Sequence, residues 1–267
     1  MALPRVVGVI PARYASTRLP GKLLADIGGV PMVVRTYRRA VRARSLDEVL
    51  VAADDPRIIA AVERAGGRAR LTRTSHPTGT DRLAEVAEGL ACDLVVNIQG
   101  DEPLIDPAVI DAAVAPLLAD PGIAMGTLAC PIRDPAVAAD PDVVKVVADL
   151  AGFALYFSRA RIPFRRGEGG GSPAPAPWLK HIGLYVYRRD FLLRFAKWEP
   201  TWLERLERLE QLRALEHGTR IAVTVTEHDS IGVDTPADLA AVRRLIEGGR
   251  DGAGGVGRAR APWQRDP

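Results

Sequence analysis

Short apolar, β-branched runs alternate with longer amphipathic stretches through the first half of the chain. Arg5–Ile10, Glu48–Ala53, Asp93–Ile98 and Ile123–Cys130 read as strands. Pro31–Ala43, Asp55–Ala65 and Pro107–Ala119 read as helices, Pro31 being tolerated in a first helical turn. Asp93–Ile98 is almost continuously apolar, the pattern of a strand covered on both faces. Strands alternating with helices predict βαβ units on a mostly parallel sheet.

The middle of the chain changes character. Val143–Ala148, Ala154–Ser158 and His181–Tyr187 read as strands with no long helix between them, which predicts an antiparallel excursion. Arg165–Pro177, rich in Gly, Pro, Ala and Ser, reads as a flexible surface loop. Helix then returns. Thr201-Trp202-Leu203-Glu204 is a capping box, and Leu203, Leu206, Leu209, Leu212 and Leu215 follow at steps of three, predicting a helix with a broad apolar stripe that Gly218 ends. Arg220–Val225 is a late strand and Pro236–Ile246 a last helix. Gly248–Pro267 is Gly- and Arg-rich without periodicity and reads as a disordered tail. The expectation is one α/β domain over residues 1–247, with no internal repeat.

Composition narrows the class. Of 267 residues, 47% are hydrophobic and 26% charged, which excludes a disordered chain, a collagen-like chain and a small disulfide scaffold. Aromatics are 5%, so the core must rest on Val, Leu, Ile and Ala. The net charge of +3 comes from scattered arginines and leaves no clustered patch for nucleic acid. Cys92 and Cys130 lie far apart and outside any C-x-x-C pair, which implies no zinc framework and suits a reducing cytosol. There is no run of 18 apolar residues, and Val6–Ile10 is too short for a signal-peptide core. A cytoplasmic protein without membrane insertion is expected.

Three segments carry candidate chemistry. Pro11–Lys22 follows the first strand and offers Arg13, Arg18 and Lys22 among hydroxyls and backbone amides. Open α/β sheets bind ligands outside the carboxyl ends of their strands, so such a loop suits a polyphosphate. It is neither a P-loop nor G-x-G-x-x-G, and taken alone it is equally a solvated basic loop. Asp101 follows the strand ending at Asn97-Ile98-Gln99-Gly100 and could hold Mg²⁺, or be a turn aspartate. Asp234 could be the second carboxylate of that site, or a helix N-cap ahead of Pro236.

Read together, eight stretches resemble the 3-deoxy-manno-octulosonate (Kdo) cytidylyltransferases, or CMP-Kdo synthetases. They are IPARYASTRLPGK (Ile10–Lys22), TSHPTGTDRLAEV (Thr74–Val86), VVNIQGDEP (Val95–Pro103), VKVV (Val144–Val147), ALYFSRARIPF (Ala154–Phe164), HIGLYVYR (His181–Arg188), LERLEQLRALEHG (Leu206–Gly218) and GVDTPADL (Gly232–Leu239). They occur in family order. The chain departs mildly from the pattern at Leu23, where Pro is usual, at Thr78, where Ser is frequent, and at Val186, where Gly is frequent.

The resemblance implies a Rossmann-like nucleotide-diphosphosugar transferase fold and transfer of CMP from CTP to Kdo, releasing pyrophosphate, for lipopolysaccharide synthesis. It implies that Arg13, Arg18 and Lys22 hold the triphosphate, and that Arg73, Thr80 and Gln99 serve the cytosine and ribose. Asp101 and Asp234 match the family's Mg²⁺ ligands; with Arg13 and Lys22 they form the implied catalytic set. Arg159, His181, Tyr185, Glu210 and Gln211 match the sugar side, Arg159 as a fork for the sugar carboxylate. No side-chain base is assigned, because a bound metal lowers a hydroxyl's pKa. Trp198 and Trp202 read as packing or subunit contacts, and a homodimer is implied. The rival readings are a cytidylyltransferase for amino-Kdo or sialic acid, and a non-catalytic nucleotide-binding module.

Overall fold

The structure is a computed structural model describing residues 3–16, 19–166, 177–229 and 231–248. The expectations for Arg18, for most of the 165–177 loop and for the tail past residue 248 therefore lie outside the described residues.

The strands are β1 (Val6–Ala12), the two-residue pair β2 (Asp26–Ile27) and β3 (Val30–Pro31), β4 (Glu48–Ala53), β5 (Ala69–Leu71), β6 (Leu94–Asn97), β7 (Met125–Ile132), β8 (Lys145–Ala148), β9 (Ala154–Ser158), β10 (Trp178–Arg188) and β11 (Ile221–Val225). The helices are α1 (Met32–Ala40), α2 (Pro56–Arg64), α3 (Gly79–Glu88), α4 (Pro107–Ala119), α5 (Pro135–Ala139), α6 (Arg189–Phe195), α7 (Trp202–Glu207), α8 (Gln211–Glu216) and α9 (Pro236–Glu247). The main sheet runs β11-β7-β10-β6-β1-β4-β5. β1 is parallel to β4 and β6, β4 to β5, and β7 to β11. β10 runs antiparallel between β6 and β7 and carries β8 and β9 with it as the antiparallel excursion.

Both faces of the sheet are covered, which is why the central parallel strands are apolar at nearly every position. One face packs Ile10, Val51, Val96 and Ile98 under Val33 and Val34 of α1, Ile58 of α2, Ile110 of α4 and Val242 of α9. The other packs Val7, Val9 and Val95 under Leu83 and Val86 of α3, Phe191 and Phe195 of α6 and Leu212 of α8. Helix starts follow local chemistry. Asp55, Asp106 and Asp134 each accept an N–H of the first turn ahead of a proline.

The leucine-rich segment is two helices rather than one. The Thr201–Glu204 capping box starts α7, with the Glu204 carboxylate accepting the Thr201 N–H at 3.1 Å. Arg208 then adopts a left-handed conformation (φ 53°) and the chain restarts as α8. Steps of three residues rotate each leucine by about 60° from the last, so one straight helix could not turn all five to one surface. The break buries Leu209 and Leu212 and leaves Leu206 in solvent. The apolar pattern does not announce β5, α3, α5 or α6. In α3 the inward face includes Thr80 and Arg82, polar residues where the helical period expects apolar ones.

Candidate active site

The carboxyl end of β1 leads into a loop whose far end is shaped by Gly21 and Leu23. Gly21 sits at φ 67°, a conformation that costs glycine nothing, and opens a 3₁₀ turn over Lys22–Leu24. Leu23 drives its side chain into the core and so fixes the turn; Lys22 points the other way. From the neighbouring β6, Gly100 brings its turn against the end of β1. A Cβ there would lie 3.3 Å from both the Pro11 carbonyl oxygen and the Ile10 side chain, so the close approach depends on glycine.

Asp101 follows, and its carbonyl accepts the Val233 N–H at 2.9 Å, which ties the segment before α9 to the end of β6. This is how two aspartates 133 positions apart meet. The Lys22 Nζ lies 2.6 Å from Asp101 Oδ2 and 3.0 Å from Asp234 Oδ1. Burial alone would lower the Lys22 pKa, but the two carboxylates outweigh it and hold the ammonium above its ordinary value. Asp234 is not the N-cap of α9. Thr235 takes that role in a capping box with Asp238, which leaves the Asp234 side chain directed at Lys22.

These groups line a cavity of about 430 Å³ with Arg13, Ser16, Gly79, Arg82, Gln99 and Gly100. Gln99 donates from Nε2 to the Gly183 carbonyl at 2.9 Å, which orients its amide. Arg82 is 3% exposed and absent from the sequence-based site; burial lowers its pKa, though a guanidinium stays charged. The donor set fits a hard divalent cation, which the converging carboxylates of Asp101 and Asp234 would hold. Among the described residues no group of three or more His, Cys, Asp or Glu could hold a metal from protein alone, so such an ion would depend on its substrate.

The other expected residues sort into two groups. Thr80 hydrogen-bonds to Glu210 across 130 residues, bringing a nucleotide-side and a sugar-side expectation together. Burial raises the Glu210 pKa, against the Thr80 hydrogen bond and nearby Arg213. Beside it Gln211 is buried with its Nε2 unpaired, as is Asn97 Oδ1 at the end of β6. Tyr185 pairs with Asn97 in the ladder, and its ring lies tilted at 5.3 Å from that of His181, whose Nε2 lies 3.0 Å from Thr127 Oγ1. Burial pushes the His181 pKa down to about 3 and the Tyr185 hydroxyl well up.

Arg73 and Arg159 each have partners within the protein. Arg73 does not line the cavity; its guanidinium faces Glu85 at 3.3 Å beside a separate depression with His76 and Lys197. Arg159 donates Nε to the Glu207 carbonyl at 2.8 Å and Nη1 to the Pro141 carbonyl at 3.0 Å. Trp198 packs within the protein, stacking at 4.1 Å on His217, and Trp202 is 69% exposed. No helix among the described residues is long and apolar enough to cross a membrane.

Comparison with known proteins agrees with this geometry. The cytidylyltransferase family profile matches residues 7–221. The 3-deoxy-manno-octulosonate cytidylyltransferase of Geobacter sulfurreducens is 57% identical, covering 91% of this chain and 99% of its own. That of Solibacter usitatus is 54% identical, over 92% of this chain and 96% of its own. A solved CMP:2-keto-3-deoxy-manno-octonic acid synthetase complexed with CTP superposes with a TM-score of 0.87 at 43% identity, covering 92% of this chain and 99% of the other. A cytidylyltransferase from Leptospira borgpetersenii shares the fold at 18% identity and a TM-score of 0.61, covering 91% and 87%. With a cationic cavity, a pair of converging carboxylates and relatives this similar along nearly the whole chain, the protein belongs to the 3-deoxy-manno-octulosonate cytidylyltransferase family.

Proposed function

We propose that the protein transfers CMP from CTP to the anomeric hydroxyl of Kdo, giving CMP-Kdo and pyrophosphate, the activation step for placing Kdo in lipopolysaccharide. The supporting observation is the meeting of Lys22, Asp101 and Asp234 at one end of a cavity that Arg13 also lines.

Arg13 and Lys22, with Arg18 of the same loop, would hold the triphosphate and offset charge on the departing pyrophosphate. Asp101 and Asp234 would hold Mg²⁺. When bound, that ion supplies charge neutralisation on the phosphates and lowers the pKa of a coordinated hydroxyl. Gln99, oriented by the Gly183 carbonyl, would face the nucleoside. Glu210, Gln211, Tyr185 and His181 would form the sugar side, where the unpaired Gln211 amide and Asn97 carbonyl oxygen are suited to sugar hydroxyls. A histidine with a pKa of about 3 is a poor proton acceptor at neutral pH, so His181 is assigned to shape and not to base catalysis. We assign the protein to the cytosol as a homodimer.

The test is pyrophosphate release by purified protein with CTP and MgCl₂ against Kdo, amino-Kdo and sialic acid. Release with Kdo well above the others is expected. Turnover of sialic acid alone would replace the substrate, and tight CTP binding without pyrophosphate release from any sugar would make this a binding module.

A further inference from the structure

The basic loop after β1 must hold Arg13 at a fixed place to be of use to a phosphate, yet it leaves the sheet at Ala12. Asp54, just past β4, brackets that exit on both sides. Its N–H donates to the Ala12 carbonyl at 3.3 Å, and its Oδ1 accepts the Tyr14 N–H at 2.9 Å. The peptide planes on either side of Arg13 are therefore both tied to one residue. The second carboxylate oxygen, Oδ2, is held at 3.0 Å by Nη2 of Arg82, whose Nη1 bonds to Thr72 Oγ1. Thr72 is itself anchored, by Oγ1 at 2.9 Å and by its N–H at 2.8 Å, to the Ala53 carbonyl. Further along, the Tyr14 ring packs where a Gly21 side chain would begin, its hydroxyl 3.5 Å from that position, and Arg57 stacks on the ring at 3.5 Å.

We propose that Arg82 and Asp54 are positioning residues for nucleotide binding: the buried Arg82 fork fixes Asp54, and Asp54 fixes the Arg13 backbone, so Arg13 meets the triphosphate already in place. The inference rests on the reading that CTP occupies the Arg13–Lys22 cavity. Arg82 also lines that cavity, so a direct phosphate contact must be told apart from positioning. Asp54 does this. Its carboxylate is negative and near an anionic ligand, so Asp54→Asn would tighten CTP if charge alone mattered. If positioning matters, loss of the Arg82 pair loosens the loop and CTP binds more weakly.

The experiment measures CTP affinity by calorimetry, and KM for CTP and for Kdo with kcat, in Arg82→Lys, Asp54→Asn, the double variant and Arg13→Ala. Arg82→Lys keeps the charge but not the two-pronged fork. We expect CTP affinity to fall about tenfold in Arg82→Lys and Asp54→Asn, with little further loss in the double variant, because both act on one chain of contacts. KM for Kdo should stay within twofold and kcat within threefold of wild type. Tighter CTP binding by Asp54→Asn, unchanged CTP binding by Arg82→Lys, or equal weakening of both substrates would overturn the proposal. Should Arg82→Lys fail to fold, Asp54→Asn decides alone by the direction of its change. Wild-type CTP affinity in Arg13→Ala would instead remove the underlying cavity reading, whatever Arg82 does.

Discussion

The carboxyl ends of β1 and β6 and the antiparallel excursion carry the same kinds of side chain and use them in opposite ways. At the strand ends Lys22 faces two carboxylates beside an open cavity. In the excursion Lys145 is fully buried and its ammonium donates to the carbonyls of Asp140, Val143 and Arg159 at 2.8, 2.5 and 2.5 Å. Arg159 likewise turns Nε and Nη1 to the Glu207 and Pro141 carbonyls, while Glu207 accepts from Ser158 Oγ at 2.6 Å and the Arg159 N–H at 2.9 Å. A cation enclosed by carbonyls of its own chain is a clasp. A cation between carboxylates at a cavity can exchange those partners for an anionic ligand or a metal.

The largest test of this contrast lies at the carboxylates. Asp101→Ala and Asp234→Ala should each lower pyrophosphate release by roughly a thousandfold, a barrier increase of about 4 kcal/mol. Both should keep the wild-type circular dichroism spectrum, since Asp234 is partly exposed and neither side chain supports the core. Turnover near the wild-type rate in either variant would remove the metal assignment. Lys22→Met should cost less, roughly a hundredfold in kcat/KM for CTP, in line with losing one charged donor to a transition state. Steady-state kinetics at saturating Kdo measures it, and an unchanged kcat/KM would make Lys22 a clasp like Lys145.

The same contrast explains what the sequence made legible. Apolar periodicity located the parallel strands except β5, and most of the helices between them, because both faces of that sheet are hydrophobic. Local patterns named Lys22, Asp101 and Asp234, which the structure brings together. What escaped notice were interactions made at long range. Arg82 lay in plain view within the Thr74–Val86 motif, but nothing local says that its guanidinium reaches Asp54, just past β4. Arg159 reads as a carboxylate fork through its match to the family's sugar-side residues. Whether its donors are free depends on where α7 ends, and that end is set by the left-handed Arg208 that the leucine spacing conceals.

Arg159 therefore offers a third test. As a clasp, Arg159→Met should destabilise the fold by about 0.5–1.5 kcal/mol, since it removes hydrogen bonds to the part-buried Glu207 carbonyl and the exposed Pro141 carbonyl. Urea denaturation reads this directly. A variant of wild-type stability with a raised KM for Kdo would return Arg159 to the sugar.

The smallest effect concerns His181, and its sign follows from burial. The native imidazole stays neutral down to about pH 3, whereas in the unfolded chain it takes a proton near its ordinary value of 6.5. Between those values the unfolded state binds more protons, so stability falls as pH falls from about 6.5 towards 3, by at most about 1.4 kcal/mol per pH unit from this residue. Below that window its contribution stops changing. His228, whose pKa burial also lowers, adds its own slope in wild type and variant alike, so the difference between them isolates His181. His181→Gln keeps a polar partner for Thr127 and removes the titration. Urea unfolding at pH 7.5, 5.5 and 4.5 should show a shallower loss of stability in the variant. Parallel curves would mean that the ring is hydrated in the native protein, and then its exclusion as a proton acceptor would fall with it.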